Sequence, residues 1–384
     1  MGLSKKLDEI FYLQPIFPGS NYDFPDFTNI DLDDIYESNE IYNFYKIKKN
    51  NGFISPRKLK IPSTIKDKTI VSIGEYGFEK LEQLTELRID EGIKVIEPYA
   101  FADCKNLTTV FLPKSFVIGH KDSFFNTSIK DVYFAEGCKI ANCRAFYDIE
   151  DVCIHIPKSV EDIEYPASNM IFNINKKNKN FKVENNCLIK NGLTIVAIND
   201  KDYIRIPDNI TDIILEDEVY VTQDVLIFPE GVEYIGAFEG SYFYFNQKCD
   251  VCLPSTLEEI DDKIFKNIEK TTLKFLNKNE TFYIYKNTIV KTRTLREIFD
   301  ITRRKLEHVG LMKYFEIVYI NDISEEKKTK DVKLNIFYNQ GVEIINVVYT
   351  INVFELNYYI SNDHEPFFGR LIYYLKNIVK KLKL

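Results

Sequence analysis

The sequence predicts a solenoid of short parallel β-strands stacked into one sheet, followed by a small α+β domain. Three observations carry that prediction. First, an apolar residue followed by proline, or an eroded version of that pair, recurs at Ile61-Pro62, Ile89-Asp90, Leu112-Pro113, Phe134-Ala135, Ile156-Pro157, Ile206-Pro207, Phe228-Pro229, Leu253-Pro254 and Phe275-Leu276, mostly 22 to 23 residues apart. Second, each interval repeats an apolar patch and then an aromatic plug, as in Val71-Ser72-Ile73-Gly74 to Phe78 and Val95-Ile96 to Ala100-Phe101. Third, the period vanishes past Leu276, where helix-like and strand-like runs take over. A unit this short cannot bury its own apolar side, so neighbours stack and share a core. Proline lacks an N–H donor and belongs where each strand leaves the ladder.

The chain then reads in order. Residues 1–40 form an acidic segment. Ser4 could cap a short helix with Leu7, Ile10 and Phe11 on its apolar face, closing the first coil; a partly disordered acidic tail is the alternative. The solenoid occupies 41–276, opening on a strand at Ile41–Ile47. The long interval between Pro157 and Pro207 holds a degenerate repeat with strand Ile171–Ile174. It also holds an extra hairpin with Asn191-Gly192 as a type I′ turn. The C-terminal domain, 277–384, begins with a helix opened by the capping box Thr294-Leu-Arg-Glu297 and ended by Gly310. Strands Tyr314–Ile320, Val332–Tyr338 and Val342–Phe354 follow, and a final amphipathic helix spans about 367–382.

The repeat units resemble the BspA-like class of leucine-rich repeats. The residues carrying the resemblance are Ile61-Pro62 with Ile73-Gly74 and Phe78; Ile96 with Ala100-Phe101 and Cys104; Leu112-Pro113 with Ile118-Gly119 and Phe124; Ala145-Phe146; Ile156-Pro157 with Val160 and Ile163; and Phe228-Pro229 with Ile235-Gly236. The segment 171–191 is similar to an insertion of that family. The resemblance implies a leucine-rich-repeat solenoid with no catalytic residues, engaged in protein–protein recognition and often in adhesion at the cell surface.

Composition narrows the function classes. The net charge is −8 over 384 residues, which argues against general nucleic-acid binding. Asp8 and Glu9 interrupt any signal-peptide core, and no apolar run approaches a membrane span. These features predict a cytoplasmic protein, with the cell surface reached only by signal-less export. Most of the seven cysteines fall inside repeat units, where Cys is a small buried apolar residue; that suits a reducing compartment.

Candidate sites follow from the phase of the strands. Alternate residues point inward, so the residue before each landmark faces out. That column contains Arg88, Phe111, Tyr133, His155 and Arg205, with Tyr203 in the column two positions earlier. Aromatics and arginine on an exposed sheet are hot-spot material for a protein partner; cross-strand packing that only stabilises the sheet is the alternative. Cys252 also falls in the outward column. Cys249-Asp-Val-Cys252 has metal or redox spacing but lacks a second pair, and no His has a Cys, His or carboxylate at ligand spacing. The sequence thus predicts no metal, no cofactor and no catalytic residues. In the final helix, Arg370, Lys376, Lys380, Lys381 and Lys383 flank an apolar face. They would either contact a membrane surface or acidic partner or form the solvated side of a helix docked on the C-terminal strands.

Overall fold

The structure, a computed structural model, describes residues 11–15, 44–49, 54–65, 67–200, 203–238, 240–261, 263–285, 287–292, 297, 301, 304, 315–322, 331–340 and 343–352. The chain divides into two compact units, Met1–Cys249 with Glu259–Lys270, and Asp250–Glu258 with Thr271–Leu384.

The first unit is built of stacked coils. One face is a six-stranded parallel sheet of Lys58–Ile61, Glu86–Ile89, Thr109–Leu112, Asp131–Phe134, Cys153–Ile156 and Ile171–Ile174 in spatial order. The first five strands bury every second residue, beginning with Leu59 and Ile61 and ending with Ile154 and Ile156. A second sheet runs Phe11–Pro15, Phe44–Lys49, Lys68–Ile73, Val95–Ile96 and Ile118–Gly119. Inside the coils the aromatic plugs stack. Phe78, Phe101, Phe124 and Phe146 are fully buried, with consecutive ring centroids 5.5, 5.4 and 5.2 Å apart and interplanar angles of 10° to 16°. Close coil spacing also explains the Ile-Gly landmark: a Cβ on Gly119 would meet the Ala145 Cβ at 2.6 Å.

Several expectations are corrected. The strands do not stack into one sheet. The outward sheet stops at Ile171–Ile174, because the insertion that follows pairs with itself. Phe181–Glu184, Cys187–Lys190 and Thr194–Ile198 form an antiparallel meander, and its last strand starts a new parallel run through Asp212–Leu215, Tyr234–Ala237 and Glu259–Ile260. The meander has two turns with left-handed residue pairs, the expected Asn191-Gly192 (φ 54° and 79°) and also Asn185-Asn186 (φ 51° and 62°). At the N-terminus Phe11 belongs to no helix. Phe11–Pro15 is a strand antiparallel to Phe44–Lys49. It lies at the sheet edge, and there the missing N–H of Pro15 at the strand end is tolerated.

Asparagine clamps the insertion in place. Asn178 Nδ2 donates to the carbonyls of Pro157 and Val160, both at 3.0 Å, and its Oδ1 accepts from the Asn180 and Phe181 amides at 2.8 and 2.9 Å. The second unit repeats the device. Asn279 Nδ2 donates to Ser255 and Leu257 at 3.0 and 2.8 Å, and its Oδ1 accepts from Thr281 and Phe282 at 2.7 and 2.6 Å. Each clamp introduces a hairpin, here Phe282–Tyr285 with Thr288–Lys291.

The second unit continues to an antiparallel meander of Phe315–Asp322, Asp331–Gln340 and Glu343–Asn352, close to the three strands expected there. Of the helix expected after Thr294, Glu297, Ile301 and Arg304 are helical; its remaining residues and the closing helix lie outside the described residues. No helix among the described residues is long and apolar enough to cross a membrane.

Candidate functional site

Parallel pairing places equivalent residues of successive repeats side by side. Arg88 lies opposite Phe111, Phe111 opposite Tyr133, Tyr133 opposite His155 and His155 opposite Asn173. Strands lie about 4.8 Å apart, close to a ring-stacking distance, so this register turns a column of side chains into a stack. The Arg88 guanidinium carbon is 3.7 Å from the Phe111 ring centroid. Phe111 and Tyr133 stack at 4.8 Å and 13°, and Tyr133 and His155 at 4.0 Å and 8°. The sequence-predicted residues Arg88, Phe111, Tyr133 and His155 therefore form one continuous ladder on the outer face.

Paired polar groups lie at both ends of this ladder. At the first strands, Glu86 accepts from Lys58 Nζ and Arg88 Nε, each at 2.7 Å. Hydrogen bonds from Lys58 and then Arg88 hold its carboxyl below the usual range. Lys60 pairs with Asp90 at 3.0 Å. At the far end His155 Nε2 and Asp131 Oδ1 are 2.7 Å apart, and Asn173 Nδ2 lies 3.1 Å from His155 Nδ1. Cys153 is two residues from His155 on the same strand and directly opposite Asp131. Its thiol is pushed up by partial burial and then by the Asp131 charge. One ligand atom each from Asp131, Cys153 and His155 lie within 4.8 Å of one another. The expectation that no His has a Cys or carboxylate at ligand spacing is thus overturned. The readable signal was Cys-x-His on one strand with Asp one repeat earlier, a spacing that only stacking makes local.

Other expected residues fall elsewhere. Tyr203 and Arg205 belong to no strand and lie outside the ladder, because the meander interrupts the sheet before them. Tyr203 is exposed, and its hydroxyl donates to the Val225 carbonyl at 3.2 Å. Cys252 does not face out: both it and Cys249 are buried, the strand there burying Val251, Cys252 and Leu253 in succession. Arg370, Lys376, Lys380, Lys381 and Lys383 lie outside the described residues.

Two features were missed. A second aromatic column runs along a turn, with Tyr76 stacked on Tyr99 at 5.0 Å and 6°, and Phe125 edge-on to Tyr99 at 6.1 Å. Tyr76 and Tyr99 hold left-handed φ of 52° and 55°, costly for bulky residues. Their signal was a tyrosine two residues before the core phenylalanine in successive repeats. The other feature is an acidic groove of about 620 Å³ lined by Asp148, Glu150, Asp200, Glu216, Asp217 and Glu218 among others. Asp217 accepts from the Tyr147 hydroxyl and from Ser168 N and Oγ, and Asp200 from the Tyr220 amide at 2.7 Å, so much of this acidity ties coils together.

Residues 50–175 match the model of the BspA type leucine rich repeat region in six copies. A search of curated proteins finds no match. Among solved structures, the pneumococcal vaccine antigen PcpA is 16% identical, with 62% of this chain and 78% of that chain covered at a TM-score of 0.40. A leucine-rich repeat protein from Eubacterium ventriosum is 19% identical, with 61% and 80% covered at 0.31. The leucine-rich repeat protein TpLRR of T. pallidum is 14% identical, with 53% and 79% covered at 0.28. The coils over residues 50–175 are BspA-type leucine-rich repeats.

Proposed function

We propose that this chain is a non-enzymatic interaction scaffold that captures a protein partner on the outer strand face, centred on Arg88, Phe111, Tyr133 and His155. The observation that carries the reading is the unbroken stack of these four side chains. Arginine and aromatics are the residue types that concentrate binding energy at interfaces. Stacking holds them in place before a partner arrives, so the ordering cost of about 0.5–1.5 kcal/mol per side chain is largely met in advance. Lys58, Lys60, Glu86 and Asp90 supply a polar rim at one end.

The test is quantitative affinity capture from the native cell, comparing wild type with a Phe111→Ala, Tyr133→Ala double variant. The variant should retain its circular dichroism spectrum and lose the partners that wild type enriches. An unchanged set of partners at unchanged abundance refutes the site.

A further inference from the structure

The end of the ladder carries chemistry that stacking alone does not use. We propose that Asp131, Cys153 and His155 form a three-ligand zinc(II) site on the outer strand face, with its fourth position open to solvent. Carboxylate, thiolate and imidazole are ordinary zinc donors. A zinc ion with bonds of about 2.0–2.3 Å holds neighbouring tetrahedral ligand atoms roughly 3.4–3.6 Å apart. Here the imidazole–carboxylate separation is 2.7 Å and no pair exceeds 4.8 Å. Side-chain shifts on the order of 1 Å close the site.

The fold supplies the orientation. Cys153 and His155 share a face by strand alternation, and the parallel register sets Asp131 against Cys153. Stacking on Tyr133 fixes the plane of the His155 ring. A metal bound at Nε2 lies in that plane, so the stack does not obstruct it. Asn173 supplies the outer partner that metal-bound histidines need at their other nitrogen. With its amide turned, its oxygen accepts from an Nδ1–H and leaves Nε2 free for the metal. Zinc then takes the place of the proton now shared between Nε2 and Asp131, that proton passes by way of solvent to Nδ1 so the ring stays neutral, and the Cys153 thiol releases its own proton to solvent. Accessibility agrees: of the seven cysteines, Cys153 alone is not buried. The competing reading, Cys153 as a nucleophile with His155 as its base, lacks the required contact, because both ring nitrogens already face Asp131 and Asn173.

The proposal stands on this geometry and not on the identity of any partner. The full-length chain, reduced and stripped with chelator, is titrated with zinc(II) against a chromophoric competitor, then with cobalt(II) in the spectrophotometer. Wild type should take up one equivalent that Cys153→Ser and His155→Ala lose or bind at least about tenfold more weakly. Asn173→Ala should keep the stoichiometry and weaken affinity by about tenfold. Tyr76→Ala, in the turn column outside the ladder, should leave both unchanged. The cobalt form should show a thiolate charge-transfer band that Cys153→Ser abolishes. Should His155→Ala lose its fold, zinc protection of Cys153 from iodoacetamide in wild type reports the same site. The proposal is overturned if wild type binds no equivalent, if the two ligand variants bind zinc as wild type does, or if zinc leaves Cys153 alkylation unchanged. Loss of the zinc signal with partner capture intact removes the metal site and leaves the interface standing.

Discussion

Phe124→Ala should come close to unfolding the repeat unit, whereas Tyr133→Ala should not, although both residues sit mid-ladder in successive strips of the same coils. Phe124 is 1% exposed and lies between Phe101 at 5.4 Å and Phe146 at 5.2 Å. Emptying a buried phenylalanine site costs about 3–5 kcal/mol. Two stacked neighbours add about 0.5–1.5 kcal/mol each, partly counted already in that figure. The expected loss is about 4–6 kcal/mol, comparable with the entire stability of many domains. Tyr133 also has two stacked neighbours, Phe111 and His155, but its ring is partly in water and leaves no cavity, so about 1–3 kcal/mol is expected. Urea unfolding followed by far-ultraviolet circular dichroism measures both. Because each repeat touches only its neighbours, the Phe124 variant should also split the transition into steps. The reasoning fails if the two variants shift the midpoint equally, or if Phe124→Ala unfolds in one step within about 1 kcal/mol of wild type.

Two further outcomes follow from named contacts. Asn178→Ala removes four hydrogen bonds, those to the Pro157 and Val160 carbonyls and those from the Asn180 and Phe181 amides; the Val160 carbonyl keeps Asn180 Nδ2 at 3.3 Å, and partial access to water limits the cost to about 2–3 kcal/mol, so amide exchange should accelerate first in Phe181–Glu184. A loss under about 0.5 kcal/mol would show that the clamp is dispensable. Glu216 has its carboxyl raised to about 7 by burial first and then by Asp162, with Lys190 opposing. Between about pH 4.5 and 7 the unfolded chain loses this proton before the folded one does, so stability falls as pH rises through that window and levels off above it. Glu216→Gln should remove the slope and stabilise the protein at pH 8 by about 1–2 kcal/mol, the full shift being discounted for partial exposure. A wild-type-like pH profile in thermal melts would contradict this.

The legible parts of the sequence were those where one repeat dictates its own conformation. Apolar-proline pairs marked strand ends, the aromatic plugs marked the core, and strand alternation put Arg88, Phe111, Tyr133 and His155 on one face. Illegible parts depended on which coil lies beside which. The landmark at Ile206-Pro207 looks as sound as that at Ile156-Pro157, but the meander before it consumes the backbone partners that would have extended the sheet, and Tyr203 and Arg205 fall out of the column. Cys252 misled for a related reason: the strand there buries three residues in succession, so alternation no longer gives direction. The Asn178 and Asn279 clamps were hidden because their four bonds go to main-chain atoms, which carry no side-chain signature.

Residue identity along the outer face changes in one direction. Two positions per strand read Glu86 and Arg88, then Thr109 and Phe111, then Asp131 and Tyr133, then Cys153 and His155. The inward positions flanking them stay apolar, so the core fixes the register and leaves these two positions free to vary. In an isolated strand such substitutions would be independent. In a one-to-one parallel register each new side chain lands on its counterpart one repeat away, so adjacent substitutions act as pairs. Arg88 gains a ring to cover, Tyr133 gains two stacking neighbours, and His155 gains both a ring and a carboxylate. A surface that passes from an ion pair to rings to a thiol and an imidazole over four strands thus needs no new backbone. The solenoid converts a 22-residue spacing into direct contact, and the chemistry of the face resides in that contact.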